Sequence, residues 1–69
     1  MRTLRLKSEY ITLGQLLKAM DFAQDGVDAK IRIQNGDAAV NGETETRRGR
    51  KLYDGDVVTI DGQSVKVIL

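Results

Sequence analysis

Val40-Asn-Gly-Glu-Thr-Glu-Thr-Arg-Arg-Gly-Arg-Lys-Leu52 sets a turn signal, Asn41-Gly42, a few residues ahead of four cations in five positions, Arg47, Arg48, Arg50 and Lys51. Asn-Gly readily supplies the positive φ angles that a two-residue hairpin loop needs. Ala38 to Val40 and Glu43 to Thr46 are therefore expected to pair as a hairpin, with the basic run following as a loop. Cations that converge on one ridge of backbone suit phosphate neutralisation. Arginine adds a planar fork that grips a phosphate through two hydrogen bonds. Gly49 helps such a loop turn. This one stretch thus implies a β-rich second half and a phosphate-facing surface.

Toward the C-terminus the β pattern continues. Asp54-Gly55-Asp56 marks a turn, Val57 to Ile60 reads as a short buried strand, and Asp61-Gly62 is a second hairpin signal. Ser64 to Leu69 closes the pattern, with Val65 and Val67 on one face. Toward the N-terminus the period changes. Asn35-Gly36 is a C-terminal cap signal for a helix that Asp25 caps at its start. Asp28 then falls in the first turn, where its charge favours the helix dipole. This helix is expected to turn Ala29, Ile33 and Ile31 inward and to present Lys30 and Gln34 on a polar face. A preceding helix starts at the capping box Thr12/Gln15, carries Leu13, Leu16, Leu17 and Met20 toward the core, and ends near Phe22. Lys18 and Asp21 look outward. Arg2 to Lys7 alternates, with Leu4 and Leu6 on one side, as a half-exposed strand does. The sum is an α+β domain: two short helices, helix-turn-helix-like, packed on a small, mainly antiparallel sheet.

Composition narrows the function classes. The 69 residues allow one domain, 1–69, with a small core. Histidine and cysteine are absent, which removes the commonest nucleophiles, general bases and soft metal ligands. No apolar run reaches the roughly 20 residues of a membrane span, and the first residues lack a signal-peptide core, so a cytoplasmic, membrane-free protein is expected. The net charge is only +1, yet without residues 47–51 the chain carries seven basic and ten acidic residues. Positive charge concentrated on one loop of an otherwise acidic chain favours an oriented contact with a polyanion.

Several segments in order resemble a known family: Leu13-Gly-Gln-Leu-Leu-Lys18, Ala29-Lys30, Asn35-Gly36, Val40-Asn-Gly-Glu43, Glu45 to Leu52, and Asp54-Gly-Asp-Val57. Together they are similar to the S-four-type RNA-binding domain, the alpha-L fold, and within it to small stand-alone bacterial proteins of the YaaA and YbcJ kind. The resemblance implies RNA binding by the two-helix unit with the following hairpin and basic loop, and ribosomal RNA as one candidate ligand. Two departures stand out. The wider family begins its second helix with Ser-Arg where this chain has Asp25-Gly26, and it tends to carry a basic residue at the position of Thr12. Both shift the expected contacts toward Lys30 and the loop.

The candidate RNA-binding residues are Lys30, Arg47, Arg48, Arg50 and Lys51, with Lys18, Arg32 and Gln34 as weaker additions. Arg32 lies near the apolar side of its helix, where its stem can cover the core. The competing reading of the loop is a solvated charge run neutralised by Glu43 and Glu45 or by Asp54 and Asp56. The aromatic residues Tyr10, Phe22 and Tyr53 are scattered along the chain, which disfavours a stacked single-strand platform and favours structured RNA recognised by shape. Tyr53 is expected to be a partly buried packing residue that can stack on one base. Asp54 and Asp56 flank a glycine and serve turn geometry, so an enzyme is not expected, and neither a metal nor a cofactor is implied. Duplex DNA is disfavoured, because Asp25 and Asp28 sit where a reading helix meets phosphates. A protein with an acidic surface is the alternative partner for the same loop.

Overall fold

The computed structural model describes residues 1–69, arranged as β1 (Arg2–Arg5), β2 (Ile11–Thr12), α1 (Leu13–Ala19), α2 (Gly26–Gln34), β3 (Ala38–Val40), β4 (Glu43–Thr44), β5 (Lys51–Leu52), β6 (Val57–Ile60) and β7 (Gln63–Ile68). The capping box forms: the Gln15 N–H donates to Thr12 Oγ1 at 3.3 Å, and the Thr12 N–H donates to Gln15 Oε1 at 3.0 Å. Helix α1 ends at Ala19, earlier than expected. Asp21 takes φ +63, and the Phe22 and Asp21 N–H groups donate back to the Leu17 and Lys18 carbonyls at 2.8 and 3.2 Å. This is a Schellman closure with aspartate in the usual glycine position. It drops Phe22 and Ala23 into the core as residues after the helix.

Helix α2 is capped as expected, the Asp28 N–H donating to Asp25 Oδ1 at 2.9 Å. It closes through Gly36 at φ +81, with Asp37 N–H donating to the Arg32 carbonyl at 3.1 Å. Ala29 and Ile33 are fully buried, but Ile31 is 52% exposed. The expectation that Ile31 points inward fails for a geometric reason: two residues along a helix is a rotation of about 200°, so a helix that buries 29 and 33 turns 31 away.

The main sheet has the order β1-β7-β6-β3-β4, antiparallel throughout except for the parallel pair β1/β7. Both two-residue turns have positive φ at both positions, Asn41 and Gly42 at +52 and +86, Asp61 and Gly62 at +53 and +71. Strand β4 stops at Thr44, short of the expected Thr46, although the Glu45 N–H still donates to the Ala38 carbonyl at 3.0 Å. The inner face of the sheet (Ala38, Val40, Val58, Ile60, Val65, Val67) packs against Leu13, Leu16, Leu17, Ala29 and Ile33 in one apolar cluster. A separate antiparallel ribbon joins β2 to β5, Ile11 opposite Leu52 and Thr12 opposite Lys51. It ties the start of α1 to the end of the basic loop. The α+β architecture is the one expected; the ribbon and the parallel β1/β7 pair were not.

Candidate phosphate-binding surface

The basic loop is built around a carboxylate. Glu45 is 7% exposed and accepts five hydrogen bonds, all within the segment it anchors. Its Oε2 takes the backbone N–H groups of Thr46 and Arg47 at 3.0 and 3.1 Å and Arg47 Nε at 3.0 Å. Its Oε1 takes Arg47 Nη2 at 2.9 Å and Arg50 Nη1 at 2.8 Å. The hydrogen bonds from Arg47 and Arg50 hold this carboxyl far below the usual carboxylate range, and the same contact raises the Arg47 guanidinium. The neutralisation that a charge run invites is therefore real for two of the four cations, and Glu45 is its agent. Asp54 and Asp56 do other work: Asp54 Oδ1 accepts the Leu69 N–H at 2.9 Å, and Asp56 accepts from the Tyr53 N–H at 2.8 Å and Asn41 Nδ2 at 3.0 Å.

Arg48 and Lys51 enter no ion pair and are exposed. They are nonetheless held in place. The first free N–H groups of α1 donate into the loop, Leu13 N–H to the Arg50 carbonyl at 2.9 Å and Gly14 N–H to the Arg48 carbonyl at 3.0 Å. The Arg48 side chain then lies directly over Gly14, so that a Cβ there would stand 2.7 Å from Arg48 Cγ. Gly14 is the seat of Arg48, a role that a glycine early in a helix hints at but does not specify. Lys51 is fixed by its place in β5, and its Nζ stands 4.8 Å from the centre of the Tyr10 ring.

The helices supply the other side. Lys18 of α1 and Gly26 of α2 line a shallow cleft with Arg48 and Gln15. Lys30 lies one turn beyond Gly26 on the same side of α2, and Gln34 one turn beyond Lys30; both are exposed. Arg32 stands apart from this group. Its guanidinium takes both oxygens of Asp61 at 2.9 and 2.5 Å, the Phe22 carbonyl at 3.0 Å and Asp37 Oδ2 at 3.4 Å. The hydrogen bonds with Asp61, with Asp37 adding to them, raise the Arg32 guanidinium, and Arg32 in turn lowers the Asp61 carboxyl. Arg32 fastens α2 to the β6–β7 turn, which leaves it little to offer a ligand.

The aromatic residues are not scattered in space. Phe22 is buried, with the Arg2 guanidinium 5.6 Å from its ring centre, but Tyr10 and Tyr53 meet with ring centres 6.1 Å apart. They are 39% and 44% exposed, so Tyr53 is less buried than expected. No sequence pattern links positions 10 and 53; only the β2/β5 register does.

Residues 4–68 match the S4 domain. The chain belongs to the S4 domain family. Among its relatives is the "Probable ribosome maturation protein RlbA" of Bacillus subtilis (strain 168), 51% identical over 57 residues that cover 83% of this chain and 80% of that protein. YbcJ of Escherichia coli (strain K12) is 37% identical over 62 residues, covering 90% of this chain and 89% of the relative. The solution structure of the E. coli YbcJ protein, described as revealing an alpha-L motif involved in RNA binding, superposes with a TM-score of 0.74 over 100% of this chain and 89% of that one.

Within the S4 domain, the two departures noted in the sequence have structural consequences. Thr12, in place of a basic residue, caps α1. Asp25 caps α2, and Gly26 beside it leaves open space, with no atom within 4 Å of a Cβ built there. The cleft is thus less basic on its α2 side, and Arg48 is its most prominent cation. No helix of this S4 domain is long and apolar enough to cross a membrane.

Proposed function

We propose that this protein is a non-enzymatic binder of structured RNA, acting as one S4 domain over residues 1–69 in the cytoplasm. Arg48 and Lys51 grip backbone phosphates, Arg47 and Arg50 flank them, and Lys30 and Lys18 extend the surface onto the helices. Gln34 offers a hydrogen bond at its margin, and Arg32 is left outside it. The observation that carries this reading is the anchoring of the basic ridge. Glu45 below and the start of α1 beside it fix where these cations stand before any ligand arrives, and preorganised side chains lose less freedom on binding. The ribosome-maturation name of the B. subtilis relative and the RNA-binding motif ascribed to YbcJ make RNA the polyanion of choice, with ribosomal RNA the first to test.

A titration of a folded ribosomal RNA fragment at several salt concentrations tests the proposal. Engagement of about three to five phosphates gives a slope of log affinity against log salt of roughly −2 to −4. A slope near zero, or no binding at low salt, overturns it. The informative variant is Arg48→Ala combined with Lys51→Ala, since Arg47 and Arg50 also hold Glu45 and their removal would disturb the fold. The double variant should lose most of the affinity and keep its melting temperature.

A further inference from the structure

The β2/β5 ribbon has two unlike faces. Leu52 is fully buried and Ile11 half-buried, so their neighbours Tyr10, Thr12, Lys51 and Tyr53 stand on the outer face by the period-two alternation of strands. The register that pairs Ile11 with Leu52 and Thr12 with Lys51 sets Tyr10 opposite Tyr53. The rings are inclined at 50° with centres 6.1 Å apart, so they touch without closing face to face. Lys51 Nζ caps one side of Tyr10 at 4.8 Å. The backbone beneath is pinned by Asp56, which accepts the Tyr53 N–H at 2.8 Å. Two large exposed rings, in contact with each other and continuous through Lys51 with the basic loop, form a small stacking surface.

We infer that Tyr10 and Tyr53 take an unpaired base of the bound RNA, so that the ligand is a helical stem carrying a bulged or looped-out nucleotide one short step from the phosphates held by Arg48 and Lys51. This rests on the RNA-binding reading above and deepens it. An isolated cross-strand aromatic pair would serve ribbon stability alone. Here the pair lies beside Lys51 on an exposed face, where a ring's π-surface accepts any base and the neighbouring cation holds its phosphate.

The test compares two synthetic RNA hairpins, one with a fully paired stem and one with a single adenine bulged from the same stem, titrated at low salt. The wild-type protein should prefer the bulged hairpin by about tenfold, in the range of one base–aromatic stack. Tyr53→Ala and Tyr10→Ala should each bring the ratio near one, whereas Tyr53→Phe should keep it. The protein has two tyrosines and no tryptophan, so its intrinsic fluorescence reports these rings directly and should be quenched more by the bulged hairpin. A purely structural pair would lower the melting temperature of the alanine variants and leave the ratio unchanged; that result, or a wild-type ratio near one, overturns the inference while phosphate binding stands. Failure of both hairpins to bind at low salt overturns the RNA-binding reading together with it.

Discussion

Replacing Glu45 with glutamine removes the charge at the base of the loop while keeping the side chain's shape. The carboxylate receives three hydrogen bonds from arginine side chains and two from backbone N–H groups. The amide retains one acceptor oxygen and turns an NH2 group toward donors that it cannot satisfy. The Arg47 side chain is 72% exposed, so water replaces much of what it loses. The remaining cost falls on Arg50 and on the Thr46 and Arg47 N–H groups, about 2 kcal/mol in all. For a domain of this size that corresponds to a fall in Tm of roughly 8–16 °C. Acid provides the control. The folded Glu45 carboxyl titrates far below its unfolded value, so its stabilisation is complete above the unfolded pKa near 4.3 and is lost as pH falls toward the folded one. Across that window wild-type stability should fall, by no more in total from this group than the same ~2 kcal/mol, with Asp61 acting in the same direction. The glutamine variant has no proton to take up at this position. Thermal melts followed by circular dichroism from pH 7 to pH 2 should therefore show the two proteins converging in acid. A variant that melts within a degree or two of wild type at pH 7, or a gap that is the same at pH 7 and at pH 2, would refute the role of an ionised clamp.

Gly14→Ala should lower Tm by several degrees in a thermal melt, because a Cβ 2.7 Å from Arg48 Cγ meets the base of a side chain whose own carbonyl accepts the Gly14 N–H at 3.0 Å, so the loop has to shift. The same variant should weaken RNA binding and flatten the salt slope by roughly one unit, as read by titration at several salt concentrations. Gly26→Arg places a cation where the cleft is open, and should strengthen RNA binding several-fold, steepen the salt slope by about one, and leave thermal stability no lower than wild type. Arg32→Ala should do the reverse of the loop variants: Tm falls by a few degrees in a thermal melt as the ties to Asp61 and the Phe22 carbonyl are lost, while RNA affinity is unchanged.

The parts of the fold legible in the sequence are those specified by neighbours. Thr12 with Gln15, Asp25 with Asp28, Asn35-Gly36 and the two positive-φ turns each fulfil their role through residues a few positions away, and each forms as expected. What escaped was long-range or depended on which face of a short helix is buried. The parallel pairing of β1 with β7 joins the two ends of the chain, and alternation in each strand is equally compatible with other partners. Ile31 was misread because, in a helix of nine residues, the apolar positions 27, 29, 31 and 33 admit more than one buried face. Tertiary packing chose the one with Ala29 and Ile33.

The candidate site shows the same division more sharply. The basic loop is obvious as composition, but composition treats its four cations as equivalent, and they are not. Arg47 and Arg50 share one buried carboxylate, whereas Arg48 and Lys51 have no anionic partner and are oriented by contacts with α1 and the β2/β5 ribbon. Glu43 and Glu45 are equal candidates for the neutralising charge in the sequence, where two glutamates look the same, and only Glu45 takes that role. Burial distinguishes it: Glu43 is exposed on β4, while Glu45 follows the end of that strand and lies beneath the loop. A carboxylate lowers the net charge of this basic loop, yet four unpaired cations in five residues would repel one another and splay. One buried anion holding two of them costs the ligand part of its Coulomb attraction and in exchange gives the other two a fixed frame. Under the proposed function, Glu45→Gln should therefore lower RNA affinity as well as stability: the loop takes its shape from the charge it contains, and the proposed contact with RNA falls to the charge left over.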